Sequence, residues 1–412
     1  MKKWSGQELE EELQRQLKLL KFQTVEITPE NEFIEMLKHS LSSGVPLRVK
    51  CGIDPTGSDV HLGHCIPYLK MRQFQDLGHI GVVVIGDYTA QIGDPSGKNE
   101  SRPTLSAEQV KENAQSYLEQ VYKILDPKQT EVRWQSEWFN KASLADLLTW
   151  AHQTTVAKLL SHDTFRLRIE QQSSLGLHEL LYPVLQGIDS VHIQADVELG
   201  GSDQKFNVLM GRDYQRDAQQ RPQVAMLLPI ILGTCGVEKM SKSLKNYIGV
   251  LDEPFDQFGK VMSIPDDLML DWAKYVSQMN EQQYLAYSEK VKSNELHPNE
   301  AKKKLAKMIV AIFHGSDVAD QMQQQFETVF AKKKLPDEIN EFKITEPMKV
   351  IDFLVQSKLC QSNGEAKRMI QQNAVSVVEA EKITSSDAKI DADYHQKVIK
   401  VGKRKFMRVI YE

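Results

Sequence analysis

The sequence predicts an α/β chain: a parallel sheet wrapped by helices first, then an all-α stretch, then a small α+β segment. Three observations carry this. In the first half, short β-branched runs such as residues 81–87 alternate with helical periodicity. Residues 250–335 show helical periodicity alone. After residue 348, strand-like runs surround one short helix. A length of 412 residues suits two or three domains.

Bulk composition excludes several classes. Hydrophobic residues make up 41% and charged residues 26%, as in ordinary soluble proteins. A net charge of −5 argues against a generally basic nucleic-acid coat and leaves room for a local basic face. Cys51, Cys65, Cys235 and Cys360 are far apart, and no pair has zinc-ligand spacing. A reduced, cytoplasmic chain without a bound structural metal is therefore expected. The N-terminus is charged and amphipathic, unlike a signal peptide. The longest apolar run, 224–232, is far too short to span a bilayer.

Taken in order, Leu9, Leu13, Leu17 and Leu20 make one face of a first helix, and residues 30–41 make a second. Pro46 leads into the strand Leu47-Arg48-Val49-Lys50. Residues 51–64 read Cys-Gly-Ile-Asp-Pro-Thr-Gly-Ser-Asp-Val-His-Leu-Gly-His, followed by a helix carrying Ile66, Leu69, Met71 and Phe74. Two histidines around a glycine thus stand where a strand hands over to a helix. The helix N-terminus presents unpaired N–H groups and partial positive charge, which suits phosphate. Gly63 lets a flat ring approach the backbone. His61 and His64 can donate to phosphate or ribose oxygens.

Strand, helix and strand in succession make a Rossmann-like unit, with its site at the carboxyl ends of the strands, near Asp54 and Asp87. Residues 91–102 combine turn formers with Lys98 and Arg102, as a loop over phosphates does. Ser106 and Gln109 form a capping box that opens the next helix. Residues 107–180 are mostly helical in pattern, with apolar faces from Leu144, Leu147, Leu148, Val156, Leu159 and Leu160. Tyr182, Gln186 and Asp189, at i, i+4 and i+7, share one helix face. Residues 195–204 form a strand ending in Gly200-Gly201, with Asp203 beyond it suited to ribose hydroxyls.

A buried strand over 224–232 and the loop 233–236 lead to Lys239-Met240-Ser241-Lys242-Ser243, 175 residues after His64. A lysine-rich loop alone is ordinarily a solvated turn. Its order and context after the first motif make coincidence a poor explanation. Further on, Leu305, Met308, Ile309, Ile312 and Phe313 form a core-facing stripe. The lysine runs at 302–304 and 332–334 suit solvent, or phosphate in an RNA-binding helical domain. Prolines and acidic residues mark 336–347 as a linker. Ser362 and Glu365 form a capping box. The helix it opens carries Lys367 and Arg368 on its surface, and strands are expected over 374–378, 397–401 and 405–409.

The two motifs resemble the HIGH and KMSKS signatures of class I aminoacyl-tRNA synthetases, and Asp54-Pro55-Thr56 narrows the resemblance to the tyrosyl and tryptophanyl branch. Residues 362–378, with the pattern Ser-x-x-Glu-Ala-basic-basic-x-Ile, resemble the S4 RNA-binding fold. Asn373 stands there in place of the usual glycine, and Val378-Glu379 in place of an Asn-Gly turn. Over nearly its whole length the chain resembles the bacterial-type tyrosyl-tRNA synthetase family. The resemblance implies a Rossmann-like catalytic domain at 1–246, with a helical insertion over about 107–180 that forms a homodimer interface in the family. It further implies a helical tRNA-binding domain at 247–335, a linker at 336–347 and an S4 RNA-binding domain at 348–412.

The implied partners are L-tyrosine, ATP with Mg²⁺ on its phosphates, tRNA(Tyr) and a second copy of the chain. Carried over position by position, Asp94, Tyr182 and Gln186 hold the substrate's α-amino group, Asp189 accepts from the phenol, and Gln204 lies along the tyrosine or adenylate. Gly52, Asp54, Gly63, Gly201 and Asp203 contact adenosine and ribose. Thr56, His61, His64, Lys98, Arg102, Lys239 and Lys242 bind the triphosphate, with Met240, Ser241 and Ser243 in the same ATP loop. Lys367 and Arg368 form the RNA-binding pair. Many relatives carry a second tyrosine that contacts the phenol where this chain has Lys50, so Lys50 stands outside the expected site. The tyrosine carboxylate is ionised near neutrality, so its attack on the α-phosphorus needs no general base. Competing readings are tryptophan as substrate, a non-catalytic RNA-binding relative, and a small nucleotidyltransferase sharing only the first motif.

Overall fold

Short β-branched runs with apolar residues on both faces become the buried strands of a parallel sheet, because helices cover each side. The computed structural model describes residues 1–96, 105–332, 339–378, 382–402 and 405–412. It divides into two compact units, Met1–Gln323 and Gln324–Glu412.

Six strands organise the first unit: β1 (Glu26–Thr28), β2 (Arg48–Ile53), β3 (Ile80–Ile85), β4 (Thr130–Trp134), β5 (Val197–Gly201) and β6 (Val224–Leu228). Their order is β1-β6-β5-β2-β3-β4. Only β1 runs antiparallel to its neighbour. The chain runs outward through β3 and β4 on one side of β2, then returns and runs outward through β5 and β6 on the other. The order therefore reverses between β2 and β5, where doubly wound sheets open a ligand crevice. In that pair Val49 stands opposite Val197 and Lys50 opposite Glu198.

Two strands depart from the expected pattern. β4 lies inside the stretch expected to be helical. It is an edge strand, and its charged residues Glu131 and Arg133 break an apolar run; Glu131 pairs with Arg48 of β2 at 2.7 Å. β1 has only three residues, too few to show a period.

Helices follow their apolar faces. Gly6–Lys21 buries Leu13, Leu17 and Leu20, and Glu30–Ser43 buries Phe33, Met36, Leu37 and Leu41. The Ser106–Gln109 capping box opens Ala107–Val121, with the Gln109 amide donating to the Ser106 hydroxyl. After β6, Pro298–His314 buries Leu305, Ile309, Val310 and Phe313 and lies against Pro254–Met262. Leu144, Leu148, Val156 and Leu177 are exposed on the single chain. Among the described residues, no helix is long and apolar enough to cross a membrane.

The second unit contains β7 (Glu341–Ile344), β8 (Met348–Lys349), β9 (Val375–Val377), β10 (Lys389–Ile390), β11 (Val398–Val401) and β12 (Lys405–Tyr411). Four form a sheet in the order β7-β12-β11-β9, and β8 pairs with β10. Phe353, Leu354, Ile370, Val375, Ile399 and Val409 fill its core. β7 falls within residues expected to form a linker; its acidic and proline flanks mask a strand that runs parallel to β12. Ser362 caps the helix Asn363–Gln371 by accepting from the Glu365 amide. The Glu365 carboxylate accepts from the Gln361 amide, so the reciprocal half of the expected box is shifted by one residue. Asn373 takes a left-handed φ of 53°, which asparagine tolerates better than most residues that have a side chain.

Candidate active site

The carboxyl end of β2 delivers Asp54 into the crevice. Its Oδ1 accepts from the Thr89 hydroxyl at 2.6 Å, and its Oδ2 accepts from the Tyr182 hydroxyl at 2.8 Å. A Cβ at Gly86 would fall 2.2 Å from Asp54 Oδ1 and 2.3 Å from Thr89 Oγ1, so this arrangement requires glycine at the end of β3. At Gly52 a Cβ would meet open space. Thr56 is exposed just beyond, its amide bonded to the Asp54 carbonyl at 2.7 Å.

His61 stands at the N-cap of the helix Leu62–Asp76, and His64 lies in its first turn. Their rings stack with centroids 3.6 Å apart. Burial, helped by Lys242, pushes His61 down to about 4. Burial, then His61 and Lys242, pushes His64 well below the ordinary histidine range. Both rings are therefore neutral at physiological pH and act as hydrogen-bonding groups rather than cations. Neither Nδ1 has a partner among the described residues.

The lysine-rich loop closes on this turn. The Gly63 amide donates to the Met240 thioether at 3.3 Å. A Cβ at Gly63 would lie 3.2 Å from the His61 ring, and one at Gly57 would lie 3.1 Å from Lys242 Nζ. Asn246 holds the loop from beneath: its amide donates to the Lys239 carbonyl at 3.1 Å, and its oxygen accepts from the Ser241 amide at 2.8 Å. The Ser241 and Ser243 hydroxyls are 2.9 Å apart, and Lys239 is exposed. Lys98 and Arg102 lie outside the described residues.

Beyond the carboxyl end of β5, Gln204 donates to Asp94 Oδ2 at 2.8 Å, while the Ser96 amide donates to Asp94 Oδ1 at 2.9 Å. Asn207 in turn donates to Gln204 at 3.0 Å. Asp203 is exposed beyond β5, with its Oδ1 2.6 Å from where a Cβ at Gly201 would stand.

Tyr182, Gln186 and Asp189 follow one another along the helix Leu177–Ile193, each with a different partner. Gln186 donates to Glu198 at 3.0 Å. Asp189, only 3% exposed, accepts from the Gln135 amide at 2.7 Å and the Trp138 indole N–H at 3.2 Å. Burial pushes its carboxyl up to about 7; Lys50 and Gln135 draw it down, Glu198 raises it and Trp138 lowers it. Gln135 also accepts from the Thr89 amide at 3.0 Å, which ties Asp189 to the floor beneath Asp54.

The structure thus gathers residues from both motifs and from positions 52–56, 94, 182–189 and 201–204 at one end of the sheet. Lys367 and Arg368 belong to the second unit, exposed on the helix Asn363–Gln371. Sequence reasoning missed Gln135, Trp138, Thr89 and Glu198. The first two follow the unrecognised strand β4, and only tertiary structure brings them to Asp189.

Residues 42–331 match the family described as tRNA synthetases class I (W and Y), and residues 331–409 match the tyrosine--tRNA ligase SYY-like C-terminal domain. The chain is 45% identical to a tyrosine--tRNA ligase of Carboxydothermus hydrogenoformans, over 98% of this chain and 99% of that one. It is 44% identical to a tyrosine--tRNA ligase of Moorella thermoacetica, over 97% of each chain. In fold alone, it resembles a C-terminally truncated mitochondrial tyrosyl-tRNA synthetase of Aspergillus nidulans. That likeness has a TM-score of 0.64 at 19% identity, over 77% of this chain and 94% of that one. It likewise resembles a tyrosyl-tRNA synthetase of Archaeoglobus fulgidus complexed with L-tyrosine, with a TM-score of 0.60 at 22% identity, over 76% and 99% of the two chains.

Proposed function

We propose a two-step reaction for this chain, which belongs to the class I tRNA synthetases of the tryptophan and tyrosine branch and, within it, to the tyrosine--tRNA ligases. In the first step the tyrosine carboxylate attacks the α-phosphorus of ATP; a P–O bond forms, and the bond to the leaving pyrophosphate breaks. In the second a ribose hydroxyl at the 3′ end of tRNA(Tyr) attacks the acyl carbon and displaces AMP. ATP enters with Mg²⁺ on its phosphates.

The observation that carries this reading is the contact between the two motifs, Gly63 against Met240, beside a sheet whose covering helix carries buried Asp189. Asp189 accepts from the phenol, while Asp94, Tyr182 and Gln186 surround the α-amino group and Gln204 lies alongside. Gly52, Asp54, Gly63, Gly201 and Asp203 line the adenosine and ribose site. Thr56, the neutral His61 and His64 rings, Lys98, Arg102, Lys239 and Lys242 stabilise charge spreading onto the phosphates, with Met240, Ser241 and Ser243 shaping the loop. Phenylalanine brings no hydroxyl to add to the Gln135 and Trp138 donors of Asp189, and incompletely satisfied acceptor capacity on a desolvated carboxylate is costly.

Residues 247–335 act as a helical tRNA-binding domain, and 348–412 as an S4 domain whose Lys367 and Arg368 meet RNA phosphate. The protein works in the cytoplasm as a homodimer. The exposed Leu144, Leu148 and Val156 support an interface in the helical insertion.

The test is ATP–pyrophosphate exchange with tyrosine, phenylalanine and tryptophan supplied separately. Exchange with tyrosine alone is expected. Exchange with tryptophan, or with none of the three from folded protein, would overturn the reading.

A further inference from the structure

Lys50 and Glu198 have no role in the reaction as described. Lys50 is fully buried, yet its ammonium has three acceptors: Glu198 at 2.9 Å, the Ser190 hydroxyl at 2.8 Å and the Gln186 carbonyl at 3.1 Å. Glu198, 1% exposed, also receives Gln186 Nε2, the Ser190 hydroxyl and Gln223 Nε2. Space for this cluster depends on Gly211, where a Cβ would fall 2.4 Å from Gln223 Nε2 and 2.6 Å from Ser190 Oγ. The two charges are register partners on β2 and β5, the strands between which the sheet order reverses.

A buried ion pair rarely stabilises a fold beyond what apolar residues of the same size provide, because desolvation offsets the attraction. Its place at the crevice suggests a positioning task. Gln186 is held twice, by Lys50 at its carbonyl and by Glu198 at its side chain. Asp189, one turn further along the same helix, feels the charges of Lys50 on β2, which draws its carboxyl down, and Glu198 on β5, which raises it. Neutral Gln135 and Trp138 complete its surroundings from the segment after β4. Trp138 is itself stacked on His192 of Asp189's own helix, with the Arg133 guanidinium 5.8 Å from the indole centroid.

We propose that Lys50 and Glu198 are positioning residues of the tyrosine site: the pair fixes the Gln186 side chain and balances the charge beside Asp189, so that the phenol meets a carboxylate in one place. This rests on the tyrosine-activating reading above. Loss of Lys50 alone leaves Glu198 and Asp189 as two buried carboxylates in one pocket, and such a pair retains a proton. Loss of Glu198 alone leaves Lys50 facing Asp189, which favours the ionised form.

The experiment uses the full chain and three variants, Lys50→Met, Glu198→Gln and the double Lys50→Met/Glu198→Gln, in pyrophosphate exchange across the neutral pH range. The double variant removes the two paired charges together, and Glu198→Gln is close to isosteric, so both remain assayable if Lys50→Met does not fold. The acid limb of kcat/KM for tyrosine reports groups of the free enzyme. It is expected to lie at the highest pH in Lys50→Met, next in the double variant, then in the unaltered protein, and lowest in Glu198→Gln. KM for tyrosine in the double variant is expected to rise roughly tenfold, with KM for ATP within about twofold. A folded double variant with unchanged KM for tyrosine and unchanged acid limb would overturn the inference alone. An unaltered protein that does not exchange with tyrosine would overturn the functional reading and this inference with it.

Discussion

The amide of Gly63 donates to the thioether of Met240 across a separation of 177 positions, so the two motifs meet directly rather than through a ligand. Asn246 sets the height of the second loop, with bonds to the Lys239 carbonyl and the Ser241 amide. Asn246→Ala removes both, so the Lys239 carbonyl and the Ser241 amide lose these partners. At about 1 kcal/mol for each lost bond, adenylate formation should slow by roughly tenfold or more. KM for tyrosine should stay near its unaltered value. Pre-steady-state measurement of adenylate formation checks this, and an unchanged rate would show that the loop holds itself.

Asp189→Ala removes the acceptor expected to receive the phenol. A hydrogen bond to a charged group is worth about 1.5–3 kcal/mol, so kcat/KM for tyrosine should fall by roughly 10- to 100-fold. Most of tyrosine's advantage over phenylalanine should disappear, while KM for ATP changes little. Tyrosine-activating enzymes are themselves the established example of rejecting an analogue that lacks a hydroxyl, because the site's polar groups are then left unpaired. Competition between the two amino acids in pyrophosphate exchange decides the matter.

The Asp189 carboxyl, raised to about 7, gives the pH dependence its sign. As pH falls through 7 it takes up a proton and loses its capacity as an anionic acceptor, so kcat/KM for tyrosine should fall on the acid side of neutrality. In the free protein the same group binds a proton more tightly folded than unfolded. Its contribution to stability is therefore greatest below the unfolded value and is lost as pH rises through 7. Initial rates at subsaturating tyrosine, paired with thermal unfolding without ligand, measure both limbs. A flat rate profile between pH values about one unit either side of 7 would contradict the assignment.

Gly86→Ala places a methyl group on Asp54 and Thr89, at 2.2 and 2.3 Å. One of them must move, at a cost of about 1–3 kcal/mol in stability. ATP binding should weaken with the displaced Asp54. Unfolding in urea and titration with ATP test the two effects separately.

Removal of residues 339–412 takes away β7 to β12 together with the helix that carries Lys367 and Arg368. Adenylation should persist, and aminoacylation of tRNA should fall by about tenfold or more, with a weaker dependence on salt. Equal loss of both steps would mean that the first unit depends on the second for its own folding.

Much of this architecture was legible in the sequence because its strongest signals are local. The buried strand β3 is a continuous β-branched run, and the stripe from Leu305 to Phe313 has an unmistakable helical period. The weaker elements were hidden for physical reasons. β4 is an edge strand with charged residues at alternate positions, β1 spans three residues, and β7 sits among acidic residues. The candidate site divides the same way. His61, Gly63 and Lys239 to Ser243 lie in contiguous motifs, whereas Gln135 and Trp138 reach Asp189 only through the fold. Lys50 was visible as an oddity, but its partner Glu198 was not, because strand register alone pairs them.

The reversal of strand order between β2 and β5 also constrains how the chain acquires its shape. Arg48 and Asp196, at the amino ends of that strand pair, are 148 positions apart, and their hydrogen bond closes a long loop. β2, β3 and β4 can associate while the chain is still emerging from the ribosome, but the crevice has only one wall until β5 arrives. Long-range closure of this kind is slow relative to local helix formation. The nascent protein must therefore complete nearly half its length before it can hold an amino acid, and free tyrosine cannot assist the folding of anything shorter.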